Sequence, residues 1–170
     1  WTANTLAVTY DSQGGSAVSS GSTTTGGQIS SAPTPPTRTG YTFNGWFVAS
    51  SGGSAITFAY THGQTADFTL YAQWSAKSVS YTYNGNGSTS GSAPSGGSAN
   101  SGASFTTAAN PFSRTGYTFA GWNSASDGTG TSYSANASQT MQASDSAIVL
   151  YAQWTANTLA VTYDSQGGSA

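Results

Sequence analysis

Apolar and polar positions alternate in step at several places along the chain, and each such run predicts a strand. In LAVTYD (residues 6–11) Leu6, Val8 and Tyr10 share one side, and Gly14-Gly15 then breaks the run, so a strand entering a turn is expected. SVSYTYNGNG (residues 78–87) reads the same way, with Val79, Tyr81 and Tyr83 on one face before the turn dipeptide Asn84-Gly85. YTFNGW (41–46) and YTFAGW (117–122) predict a central strand in which Gly45 or Gly121 permits a bulge just before Trp46 or Trp122. TLYAQW (69–74) and VLYAQW (149–154) carry large groups on both sides, as a strand inside a sheet does. Pro33-Thr34-Pro35-Pro36 predicts an extended connector, and the Gly/Ser tract at 87–104 a long loop or an edge strand. No segment sustains a 3.6-residue period. Residues 55–68 and 132–147 each have room for one short helical turn, with Ser132 or Ser138 as its cap.

These patterns repeat at two levels. Residues 1–17, WTANTLAVTYDSQGGSA, return letter for letter at 154–170, and RTGYTFNGW at 38–46 recurs as RTGYTFAGW at 114–122. The periodicity predicts small modules in series: 1–4 as the tail of a preceding repeat, 5–75 and 76–154 as two repeats, and 155–170 as the opening strand of a third. On this reading the chain is a window on a longer tandem array. The closing strand of one module runs almost directly into the next, which predicts an elongated, semi-rigid string.

Composition narrows the chemistry. Five Trp, ten Tyr and seven Phe are enough to fill two small cores, which such modules need. Tyr41, Phe43, Trp46, Tyr71 and Trp74, with Tyr117, Phe119, Trp122, Tyr151 and Trp154, are therefore read as a repeated core motif. Charged residues make up only 5% of the chain, against about 25% in an ordinary soluble domain. Three cations cannot neutralise a row of phosphates, which excludes nucleic acid, and no apolar run reaches the roughly 20 residues of a spanning helix. The absence of Cys excludes disulfides and thiolate metal sites.

Little remains for catalysis or cofactors. His62 has no second His or Cys for a metal and reads as a solvent-facing loop residue, and no nucleophile elbow accompanies it, so no catalytic residue, metal or cofactor is expected. Asp127-Gly128-Thr129-Gly130 offers too few oxygens for calcium and reads as a turn. Arg38 and Arg114 precede the YTF strands at equivalent places. They fit either a repeated ligand contact or, more simply, an arginine packing its stem over the Trp ring or pairing with a local Asp. Tyr60, Tyr133 and Phe47 lie outside the strongest motifs and are expected to be exposed, which makes Tyr60 and Tyr133 candidate ligand contacts. Lys77 raises the question of an isopeptide bond, but the first repeat has no lysine at all.

A first strand ending in VTYDSQGG or YTYNGNGS, then RTGYTFxGW, then xLYAQW resembles the Listeria-Bacteroides repeat, the internalin B-repeat-like module of bacterial surface proteins. The resemblance implies tandem β-grasp-like modules, mostly β with little or no helix, and no catalytic residue. It also implies an extracellular place, on the cell surface or attached to the cell wall, within secreted or adhesin-like proteins. The function expected is a structural spacer or stalk that projects a distal domain, with neighbouring repeats of the same chain as its partners. The alternative is a module binding a carbohydrate or a host surface protein through many weak sites. Self-association through sheet edges that lack protective Lys is a third reading.

Overall fold

In a computed structural model, residues 2–164 and 166 are described. Trp1, the expected end of a preceding repeat, and residues 165 and 167–170 of the expected third one lie outside them. All regular structure among the described residues is β; there is no helix. The two stretches expected to hold a helical turn form short strands instead, because each finds a neighbouring backbone with which to pair.

The first repeat contributes β1 (Thr5–Asp11), β2 (Gly21–Thr24), β3 (Gln28–Ile29), β4 (Tyr41–Phe47), β5 (Tyr60–Thr61) and β6 (Phe68–Ala76). Its main sheet has the order β2-β1-β6-β4, with β3 and β5 pairing separately. The sheet is mixed. β1 and β6 run parallel, Tyr10 facing Leu70, while β2 and β4 pair antiparallel on the flanks. Two parallel strands at the centre, formed by the first and last long strands of a repeat, agree with a β-grasp-like order lacking its helix.

The second repeat supplies β7 (Ser78–Asn84), β8 (Gly97–Asn100), β9 (Ser104–Thr106), β10 (Tyr117–Asn123), β11 (Ser132–Tyr133), β12 (Ser138–Thr140) and β13 (Ile148–Ala156). Here the order is β11-β10-β13-β7-β8, with β9 and β12 paired apart. β13 and β7 are again parallel, Leu150 facing Tyr83. YTFAGW is thus an inner strand, whereas YTFNGW in β4 lies at the end of its sheet, because β5 pairs with β3 and not with β4. Part of the Gly/Ser tract forms the edge strand β8.

The bulges fall where glycine permits them. Register shifts between Phe43 and Gly45 and between Phe119 and Gly121, with φ of +125° and +138° at the two glycines. Side chains rarely tolerate those angles, and the extra residue turns the following Trp into the core.

By contacts the chain divides into two compact units: Trp1–Val79 with Ser98–Ala103 and Met141–Ala147, and Ser80–Gly97 with Ser104–Thr140 and Ile148–Ala170. In the first, Val8, Tyr10, Trp46, Leu70 and Ala72 form the core, and Phe43 and Trp74 pack against it. Tyr10 meets Trp46 at 4.9 Å between ring centres, and Phe43 bridges Trp46 and Trp74. The second unit repeats the device with Tyr83 on Trp122 at 4.7 Å and Phe119 between Trp122 and Trp154. The Trp of each YAQW also holds the turn after the opening strand: Trp74 Nε1 donates to Ser12 O at 2.9 Å, and Trp154 Nε1 to Gly85 O at 3.0 Å.

Burial pushes the Tyr10 phenol above its usual range, and the Tyr83 phenol likewise, although Tyr83 Oη also accepts the Ala108 N–H at 2.7 Å. Both folded values lie above the unfolded one. The stabilisation is therefore whole below the ordinary tyrosine range and lost as pH rises from there through the raised folded values. Alkaline titration followed by tyrosinate absorbance should show these two phenols ionising late, together with loss of near-UV dichroism. Y10F should lower the late component by one tyrosine.

Candidate functional site

The best candidate for a ligand site on the first unit is built from the short stretch before β4. Pro36, buried, brings the chain to Arg38, whose guanidinium lies 3.9 Å from the centre of the Tyr41 ring. Arg38 Nη1 also donates to Gln13 O at 3.2 Å, and the guanidinium stands 6.0 Å from the Trp74 ring. The second unit repeats the central contact, with Arg114 3.9 Å over Tyr117. A cation over an aromatic face gains roughly 0.5–1 kcal/mol at such part-exposed sites. Each arginine thus lies over a face of the tyrosine three residues on.

Beside Arg38 lies a cavity of about 540 Å³, lined among others by Tyr41, Trp74, Lys77 and Asp145. Lys77 Nζ meets Asp145 Oδ1 at 2.6 Å, and the Gly40 N–H donates to the same oxygen at 3.3 Å. The Lys77 hydrogen bond, aided by the Gly40 amide, holds the Asp145 carboxyl below its usual range. The cavity's cation and anion therefore answer each other. Lys77 is 43% exposed and Asp145 50%, so the pair lacks the buried setting an isopeptide bond requires.

The linkage has a definite sign. Asp145 has a depressed folded value, so its contribution is present above the unfolded aspartate range and fades as pH falls below it. In melts from pH 5 to pH 2, the native chain should lose stability more steeply than D145N, and the two curves should converge as Asp145 takes its proton.

The remaining sequence candidates are scattered. Tyr60 is half-buried in β5, its ring 6.4 Å from His62. Tyr133, expected outside, is only 2% exposed: β11 pairs with β10 opposite Trp122, and the ring turns in against Phe105 at 5.7 Å. Phe47, also expected outside, is buried as the last residue of β4. Neither Tyr60 nor Tyr133 joins Arg38 or Arg114 in one site.

His62 corrects the reading of a solvent-facing loop. It is 3% exposed, with Phe68 4.8 Å from its ring, and its Nδ1 accepts the Gln64 N–H, which leaves Nε2 to donate to Thr23 Oγ1 at 3.1 Å. Met141 holds the matching place in the second repeat, since the His62 N–H donates to Gly27 O and the Met141 N–H to Ala103 O. An apolar counterpart was the signal that this position faces inward. Asp127 closes the expected turn by accepting from Thr129 N and Oγ1, bonds that hold its carboxyl below the usual range. No cluster of metal-ligating side chains occurs among the described residues.

Ten motif aromatics divide by depth. Trp46 and Trp122 are 2% and 1% exposed. Phe43, Phe119, Trp74 and Trp154 are half-buried around them, as are Tyr41, Tyr71 and Tyr151. Tyr117, 38% exposed, lies furthest out.

Comparison with known proteins places these features in a family. The model of the Listeria-Bacteroides repeat domain matches residues 7–73 and again 78–153. A protein of Evansella cellulosilytica named "Putative membrane protein" is 34% identical over 158 residues, covering 92% of this chain and 23% of that protein. Internalin H of Listeria monocytogenes is 36% identical over 125 residues, covering 74% of this chain and 21% of its own. The chain thus spans about a fifth of the length of these relatives. No solved structure matches it. No described helix is long and apolar enough to cross a membrane.

Proposed function

The chain belongs to the Listeria-Bacteroides repeat family, and on that footing we propose that it is a non-enzymatic spacer in a bacterial cell-surface or secreted protein, carrying a distal domain outward. The observation that bears most on this reading is the inward placement of the aromatics. Trp46 and Trp122 fill the cores, Trp74 and Trp154 tie down turns, and Arg38 and Arg114 lie over Tyr41 and Tyr117. A glycan platform needs open flat rings, and few are left. Lys77 alone separates β6 from β7, a connection short enough to limit hinge motion. The same composition suits a stalk: with three Lys and Arg, it offers trypsin few places to cut.

A spacer acts through length and stiffness, so scattering from chains of two and four repeats is the direct test. The maximum dimension should rise in proportion to repeat number. Saturable quenching of tryptophan emission by a glycan, abolished in W74A, would instead favour carbohydrate binding at the cavity beside Arg38.

A further inference from the structure

Each repeat opens and closes on neighbouring strands that run the same way. In the first, β1 opens the repeat and β6 closes it, and Val8 to Asp11 face Phe68 to Tyr71 in parallel register. In the second, β7 and β13 do the same, with Tyr81 to Asn84 facing Ile148 to Tyr151. A parallel pair cannot be joined by a tight turn, so residues 12–67 of the first repeat all lie in the crossover between its two terminal strands. A pull on the ends of the chain therefore enters and leaves each repeat through this one pair.

The direction of the pull matters. Tension draws β1 toward Thr5 and β6 toward Ala76, which in parallel strands are opposite directions along one axis. The strands are made to slide past each other, and the bonds between them share the strain instead of parting in turn. Slip by one residue also turns every side chain of a strand to the other face. Leu6, Val8 and Tyr10 on β1 and Leu70 and Ala72 on β6 are all buried, so sliding disrupts the core together with the ladder.

We propose that the parallel pair of terminal strands is a tension clamp, a mechanical element that keeps each repeat folded while the chain is pulled. Its purpose rests on the spacer reading, since a chain that holds a distal domain outward is one that bears force. Neither strand is free to peel sideways. β1 is flanked by β2 and β6 by β4, and in the second repeat β7 is flanked by β8 and β13 by β10. Side chains lengthen the clamp beyond its facing pairs. The Asp67 carboxylate accepts the Ala7 N–H at 2.7 Å before the first pair, and Trp74 Nε1 donates to Ser12 O at 2.9 Å past the last. In the second repeat Trp154 Nε1 donates to Gly85 O at 3.0 Å, and Asn86 Nδ2 donates to Ala152 O at 2.9 Å, which binds the turn after β7 directly to β13.

The same bonds are weak against a pull from one end. Strands drawn apart from a shared end separate pair by pair, so a clamp is recognised by resistance that depends on direction. The chain contains no Cys, and introduced cysteines can therefore carry the handles. Ala3→Cys/Ala76→Cys puts them at opposite ends of the β1–β6 pair, and Ala3→Cys/Ala66→Cys puts them at the same end; all three positions are exposed, where substitution costs little. In single-molecule force spectroscopy at one loading rate, the opposite-end placement should rupture at a force about twofold or more above the shared-end placement, because forced unfolding follows the barrier along the pull. Ala76→Cys/Ala156→Cys and Ala76→Cys/Ala147→Cys give the matching comparison for β7 and β13, again at exposed positions. The force difference in both repeats supports the clamp, and equal forces in the two directions overturn it. Scattering and force fail separately: repeats that do not extend the chain would remove the spacer and leave the force ratio standing, whereas equal forces would remove the clamp and leave the spacer.

Discussion

Trp122→Ala should destabilise the second unit by about 3–5 kcal/mol, the range for emptying a large aromatic from a packed core. The ring is 1% exposed and touches Tyr83, Phe112 and Phe119 through ring contacts of 4.7, 6.2 and 5.1 Å. Its Nε1 donates to Ala108 O at 3.0 Å. A module of this size has a stability not much greater than that loss, so its cooperative transition should move far down in temperature or disappear. The subtler substitution separates packing from hydrogen bonding. Trp46 is equally deep, but its Nε1 is buried without a hydrogen-bond partner. Trp→Phe therefore removes a satisfied donor at 122 and an unsatisfied one at 46. W122F should cost about 1 kcal/mol more than W46F, read from the two denaturation midpoints. Equal costs would mean that the indole N–H contributes nothing at either site.

The contrast between the two tryptophans marks how far the sequence could be read. Strands β1, β4, β6, β7, β10 and β13 were legible because each buries one face, and alternation with period two records that directly. The bulges were legible because Gly45 and Gly121 interrupt that alternation just before a Trp. β3, β5, β11 and β12 are two or three residues long, too short to write a period, and they exist only because another backbone lies beside them. Tyr133 was misplaced for that reason, since β11 pairs with β10 and turns its ring inward, whereas Phe47 was misplaced because β4 runs one residue past the YTFNGW motif. His62 was misread because the lack of a second His or Cys was taken to leave it in a solvent-facing loop, although Met141 at the matching place argues for burial. Of the candidate site, an arginine over an aromatic ring was expected with Trp as its partner, whereas the nearer ring is that of Tyr41 or Tyr117, three positions on, with Trp74 6.0 Å from Arg38. The Lys77 to Asp145 pair was not foreseeable, since 68 positions separate its members and nothing local links them.

The sharpest case of neighbours overriding sequence is also the second large effect. Leu6→Ala and Leu159→Ala are the same change in the same ten-residue setting, and a reading confined to local sequence would assign them one cost. Leu6 is 4% exposed on a strand paired on both sides, so its truncation leaves a cavity and should cost about 2–5 kcal/mol. Leu159 is 86% exposed, touches no core, and its truncation should change stability by less than about 0.5 kcal/mol. Chemical denaturation of the two variants measures the difference, which is the contribution of β2 and β6 to that position. Because the chains are identical around the mutated residue, intrinsic strand propensity and residual structure of the unfolded segment largely cancel. A comparable loss from Leu159→Ala would mean that this side chain is packed in solution.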